Sequence, residues 1–142
     1  DWREVLKWEG RMEEMLENQK TCDAGSDDVL DTFVEAHQSL WNSTGDIDHA
    51  ISIVTLQERR VEVLGKMQRF RDQGEALCNI AGNLLLLDKC QEAEGYYLRA
   101  RKLAEAHGFF SVESKSCLGL GNIAMEDGRA EEGLDLLRNA IA

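Results

Sequence analysis

Residues 77–142 carry one pattern twice, forty positions apart, and this internal period constrains what the chain can fold into more than any other feature. Small residues recur at two places: Ala93 and Ala100 are answered by Gly133 and Ala140, with the bulkier Tyr97 and Leu137 between them. Upstream, Ile80 with Ala81 is answered by Leu120 with Gly121. A period in this range is the signature of stacked helix pairs, none of which can bury its apolar face without a neighbour. Such arrays build extended surfaces more readily than closed catalytic pockets. The Gly-Asn pairs that begin at Gly82 and Gly121 align at 39 instead, which leaves the register of that helix open by one residue.

Residue usage points the same way. The 142 residues include no proline, where about 5% is average, and Leu, Ala, Glu and Arg, all good helix formers, are abundant. Apolar residues make up 43% of the chain, enough for a continuous core. The longest purely apolar leucine run, residues 84–87, is far short of the roughly 20 residues that cross a bilayer, so no membrane span is expected. The four cysteines, at positions 22, 78, 90 and 117, have neither CxxC nor zinc-ligand spacing and read as structural thiols of a reducing, cytoplasmic compartment. The first residue is Asp1, no secretory leader is visible, and no glycine cap follows the last helical pattern at Ala142; the expectation is a fragment of a longer protein.

Apolar spacing divides the chain into about seven helices. Residues 1–18 place Trp2, Val5, Leu6, Met12, Met15 and Leu16 at helical intervals, as one helix of a preceding pair, and residues 19–27 read as a loop around Gly25 and Ser26, with Ser26 or Asp27 as the next cap. Residues 28–72 form a first repeat: one helix carries Leu30, Phe33, Val34, His37, Leu40 and Trp41, Gly45 breaks it, and a long helix then runs from Asp46 or Ile47 toward Phe70. Gly74 marks a junction. Residues 73–110 form a second repeat that ends at His107-Gly108, and residues 111–142 a third, truncated one with Ser111 or Ser114 as its cap. The connections are short, so consecutive helices pack antiparallel, and the whole is expected to be one contiguous all-α domain.

The alternation of large and small residues resembles the tetratricopeptide repeat (TPR). Residues 28–142 carry the likeness, with Trp41, Gly45, Ala50 and Val54 as a looser first copy in which Gln57 stands where a small residue is expected. The proline common in that family is missing, Glu105 standing at the nearest equivalent position, and the step from Ala50 to Ala93 is 43 residues. A repeat of this length, with Asn near the small residue of the first helix, is similar to the longer subtype of the LGN/Pins adaptors and kinesin light chains. The resemblance implies an antiparallel helix-hairpin solenoid, a right-handed superhelix, that binds an extended peptide or partner helix in a concave groove. It places Glu35, Ser39 and Asn42, then Asn79, Leu85 and Leu86, then Lys115, Leu118, Asn122 and Met125 along that groove. An Asn amide both donates and accepts, so Asn79 and Asn122 can pair with a peptide backbone of any sequence, or else satisfy the protein's own backbone. Leu86 and Met125 would add apolar contact.

Other functions find less support. Net charge is −11, with nine acids against four bases in residues 1–28, and no basic stripe with interleaved aromatics appears, so nucleic acid is not an expected partner. Arg59, Arg60, Lys66, Arg69 and Arg71 form the one basic cluster; they could meet an acidic partner or serve the helix dipole. His37, His49 and His107 lack an i+4 partner for a metal, and His37 sits on an apolar stripe as a core histidine. His107, just before Gly108, sits where a helix dipole favours an imidazolium. No phosphate-binding loop or nucleophile elbow occurs. The expectation is a non-enzymatic adaptor or scaffold without metal or cofactor. The alternative is a regulatory or oligomerisation segment of a larger enzyme or regulator, homo-oligomerising through exposed end helices that include Trp2 and Trp8.

Overall fold

A computed structural model of the chain describes residues 2–11 and 24–141. Among these the only regular structure is helical: α1 (Trp2–Leu6), α2 (Ala24–Thr44), α3 (Ile47–Lys66), α4 (Phe70–Leu86), α5 (Cys90–His107), α6 (Phe110–Glu126) and α7 (Ala130–Ile141). The chain is all-α, and α2 to α7 are joined by tight turns into hairpins. It divides into two compact units, residues 1–69 and 70–142. No helix among the described residues is long and apolar enough to cross a membrane.

In the first unit α2 pairs with α3, and α1 lies against α2. The apolar stripe read from the sequence closes this core: Leu30, Phe33 and Val34 of α2 meet Ile53 and Leu56 of α3, with Val5, Leu6 and Trp41 packed around them. Ala36 and Ala50 are wholly buried, as small residues must be where two helices come close. The sequence-predicted loop at 19–27 falls partly outside the described residues, and the rest of it, from Ala24, is helix. Asp27 therefore does not cap α2 but lies within it, buried, where its Oδ1 receives Arg60 Nε at 2.6 Å. Gln57, the residue that breaks the repeat pattern, is buried beside this pair, and its Oε1 accepts from Arg60 Nη1 at 3.3 Å. Asp46 caps α3 by accepting the amide of Asp48, and the helix begins at Ile47, one of the two starts read from the sequence.

In the second unit the hairpins α4/α5 and α6/α7 stack, α6 lying against both α5 and α4. Here the forty-residue period becomes physical: α4 begins at Phe70 and α6 at Phe110, α5 at Cys90 and α7 at Ala130. Four chain reversals share one hydrogen-bond scheme. The amides of Arg69, Lys89, Phe109 and Arg129 donate to the carbonyls of Leu64, Leu84, Ala104 and Ala124, each five residues back, and the preceding residues Gln68, Asp88, Gly108 and Gly128 have φ of 59°, 61°, 75° and 81°. These are Schellman caps with a left-handed residue at each helix end. They recur every twenty residues, so a helix and its turn together form one constant unit, and the register of α4 against α6 is 40.

The first helix, expected to run over residues 1–18, ends at Leu6 with a turn at residues 7–8, and two boundaries further along also differ from the sequence reading. The long α3 stops at Lys66 and Phe70 opens α4, so Gly74 is no junction: it lies inside α4, where a Cβ would come 2.8 Å from Val112 Cγ1. Glycine served close packing there instead of a turn. The cap of α6 is Phe109, with Ser111 and Ser114 already within the helix.

Gln68 and Asp88 hold the left-handed conformation that Gly108 and Gly128 adopt freely. An L-residue other than glycine pays about 1–2 kcal/mol there, partly offset by the entropy glycine loses on folding. Gln68→Gly is accordingly expected to raise stability by about 0.5–1 kcal/mol, measured as the midpoint of urea unfolding with an unchanged slope.

Candidate functional site

Glycine decides the geometry of the second unit's exposed groove. At Gly119 of α6 a Cβ would sit 2.3–2.6 Å from three ring carbons of Tyr97, so only the absent side chain lets that ring pass from α5 into the gap between α4 and α6. The phenol becomes a floor. Around it Cys78, Asn79 and Leu85 of α4 and Lys115, Leu118, Gly119 and Asn122 of α6 line a cavity of about 280 Å³. Lys115 Nζ reaches across to Glu75 Oε2 at 2.5 Å, a pair whose members are forty residues apart and tie the two walls at one end.

Five of the sequence-predicted groove residues, Asn79, Leu85, Lys115, Leu118 and Asn122, share this one cavity. Asn79 and Asn122 are exposed, and neither side-chain amide has a hydrogen-bond partner among the described residues. Asn83, by contrast, spends its amide on the carbonyl of Asn79. Leu86 and Met125 do not line the cavity: Leu86 is 70% exposed, and Met125 extends toward Gly133 of α7, where a Cβ would meet its Cγ and Sδ at 2.8 Å. The large aliphatic residues that line the cavity are Leu85 and Leu118. Glu35, Ser39 and Asn42 lie on α2 of the first unit; Glu35 and Asn42 are exposed, and Asn42 Oδ1 accepts from Gln38 Nε2 at 3.0 Å.

Cys78, Tyr97 and Gly119 were not anticipated as groove residues. Burial, and then the charge of Glu75, push the Cys78 thiol up to about 11 against the opposing pull of Lys115, so it stays protonated and a poor nucleophile. Burial likewise raises the Tyr97 hydroxyl, with Cys78 adding to it. Both groups present neutral hydrogen-bonding atoms. The Cys117 thiol, buried in α6, is also raised, chiefly by desolvation.

Elsewhere the charged and aromatic candidates have partners. Within the basic cluster Arg60 is held by Asp27 and Asp31, Lys66 by Glu62 at 3.3 Å, and Arg71 lies over the Phe109 ring at 5.7 Å. His107 at the end of α5 is stacked between Phe70 and Phe109, with ring centroids 4.7 and 5.4 Å away. His37 is buried, with both ring nitrogens engaged. No group of three or more His, Cys, Asp or Glu among the described residues could hold a metal ion. A second cavity, of about 340 Å³, is lined by Gln73, Leu77, Arg99, Lys102, Leu103 and Ala106; it is mainly apolar and carries no pair of free amides.

Compared with known proteins, the chain matches no family model and no curated protein shows significant similarity to it.

Proposed function

We propose that this chain is a non-enzymatic protein-interaction module, an adaptor or scaffold whose α4/α6 groove seats an extended peptide or a partner helix. The observation that carries this reading is the pair of unpartnered amides, Asn79 and Asn122, on opposite walls of one cavity whose floor and sides are uncharged apart from the Glu75–Lys115 pair. Amides so placed pair with a peptide backbone, and Leu85 and Leu118 beside them accept an apolar side chain. The forty-residue stacking of α4/α5 on α6/α7 supports a TPR-like solenoid of the longer subtype. A reducing, cytoplasmic setting fits the free thiols Cys78, Cys90 and Cys117.

The test is selection of ligands from a displayed peptide library on the full chain, followed by titration against the double variant Asn79→Ala/Asn122→Ala, matched for melting temperature. Each lost amide pairing removes about 0.5–1.5 kcal/mol, so selected peptides should bind the variant roughly tenfold to a hundredfold more weakly. Peptides that bind both proteins equally would place recognition outside the groove. A second reading, a regulatory or oligomerisation segment, draws on exposed apolar residues toward the two ends, Trp8 at 57% and Ile141 at 87% exposure. It requires a mass that grows with concentration in sedimentation equilibrium.

A further inference from the structure

His37 lies in the first unit between two titratable partners. Its Nε2 stands 2.8 Å from Glu9 Oε2, and its Nδ1 stands 2.9 Å from Nδ1 of His49, the rings tilted by 47°. The His37 side chain is 8% exposed and that of Glu9 18%, whereas His49, in the first turn of α3, is only half-buried. We infer that this Glu9–His37–His49 chain is an acid-released latch between α2 and α3.

Proton counting gives the reason. With Glu9 ionised, His37 Nε2 donates to it. Facing nitrogens at 2.9 Å can share a single proton, carried either by His49 and accepted by His37 or by His37 and accepted by His49. The two rings thus hold at most three protons between them while the contact lasts. A fourth would set two N–H groups head to head, so the latch must open to take it. His37 stays fixed by its carboxylate, a bond that strengthens when the ring is charged. The half-buried His49 turns out to solvent. Acid therefore frees the first turn of α3 while holding the Glu9 segment more firmly to α2.

Among the described residues, the charged groups close in sequence to these three do not supply this response: Arg11 lies over the Trp8 ring at 5.5 Å and keeps its charge throughout. Asp46 and Asp48 flank His49 at the start of α3, Asp46 accepting the Asp48 amide; Glu35 is exposed on α2; Glu4 and Lys7 pair with each other at 2.7 Å on the N-terminal segment. Carboxylates ordinarily titrate near 4, below the range in which histidine changes charge.

Two readouts on the full chain test the latch. The three histidines give three ring signals by NMR between pH 8 and 5, with His107 in the other unit as an internal reference. Because their Nδ1 atoms share one contact, the His37 and His49 signals should move together over that range, while that of His107 moves independently. Hydrogen exchange of the amides of Ala50 and Ile51, the first in α3 with a carbonyl four residues back, should accelerate severalfold between pH 8 and 5 once corrected for its intrinsic pH dependence. His49→Gln, which can still donate to His37 but does not titrate, should abolish the acceleration. His37 and His49 signals that move independently, with unchanged protection in the wild-type chain, would overturn the latch, as would an acceleration that persists in His49→Gln. If that variant does not fold, the wild-type measurement decides alone.

Discussion

Gly119→Ala is expected to destabilise the second unit by about 2–3 kcal/mol, at the upper end of what overpacking a core costs. The added methyl would sit within 2.6 Å of Tyr97 Cζ, Cε1 and Cε2, and the ring has nowhere to retreat because only 8% of that residue is exposed. Thermal unfolding should fall by roughly 4–8 °C per kcal/mol in a unit of this size. The geometry also predicts the rescue. Tyr97→Phe keeps the offending ring carbons and should restore nothing, while Tyr97→Leu in the Gly119→Ala background should recover much of the loss. A double-mutant cycle by urea unfolding would read this as a favourable coupling; additive losses would mean that α6 moves away from α5 as a whole.

The first unit has a comparable point of vulnerability, of a different kind. Arg60 and Asp27 are largely buried, their side chains 15% and 10% exposed, and they bridge α3 to α2. Arg60→Leu leaves the Asp27 carboxylate without its nearest cation, for which about 3–5 kcal/mol is the typical loss. Replacing both residues by leucine should return most of it, because the pair's own desolvation penalty disappears with the pair. Far-ultraviolet circular dichroism during heating would record the first variant as an early loss of helix and the second as near wild type. Equal losses in both would mean that the ion pair contributes net stability.

The period was legible because small residues leave a mark wherever helices approach. Ala93 and Ala100 against Gly133 and Ala140 gave the offset, and the offset brought Asn79, Leu85, Lys115, Leu118 and Asn122 to one cavity. Three features stayed hidden, each for a physical cause. The left-handed caps at Gln68 and Asp88 use residues with no preference for that conformation, so nothing marked the true end of α3, and Gly74 drew the boundary instead. The helical state of residues 24–27 was obscured by Gly25 and Ser26, while the tie that anchors them, Asp27 to Arg60, spans 33 residues. Tyr97 belongs to the second helix of its hairpin, and its place on the cavity floor depends on a glycine in the next hairpin.

The even spacing of the four helix caps, at 68, 88, 108 and 128, also bears on how the chain tolerates changes of length. The turn entering α4 and the turn entering α6 have the same hydrogen bonds, so a second copy of residues 70–109 inserted after Phe109 would meet matching ends on both sides. A twenty-residue insertion would satisfy every cap equally well, yet it would exchange the first and second helices of every later hairpin, so the residues that line the cavity would no longer face one another. Lengthening this array is therefore quantised: backbone geometry admits steps of twenty, and side-chain packing admits only every second one.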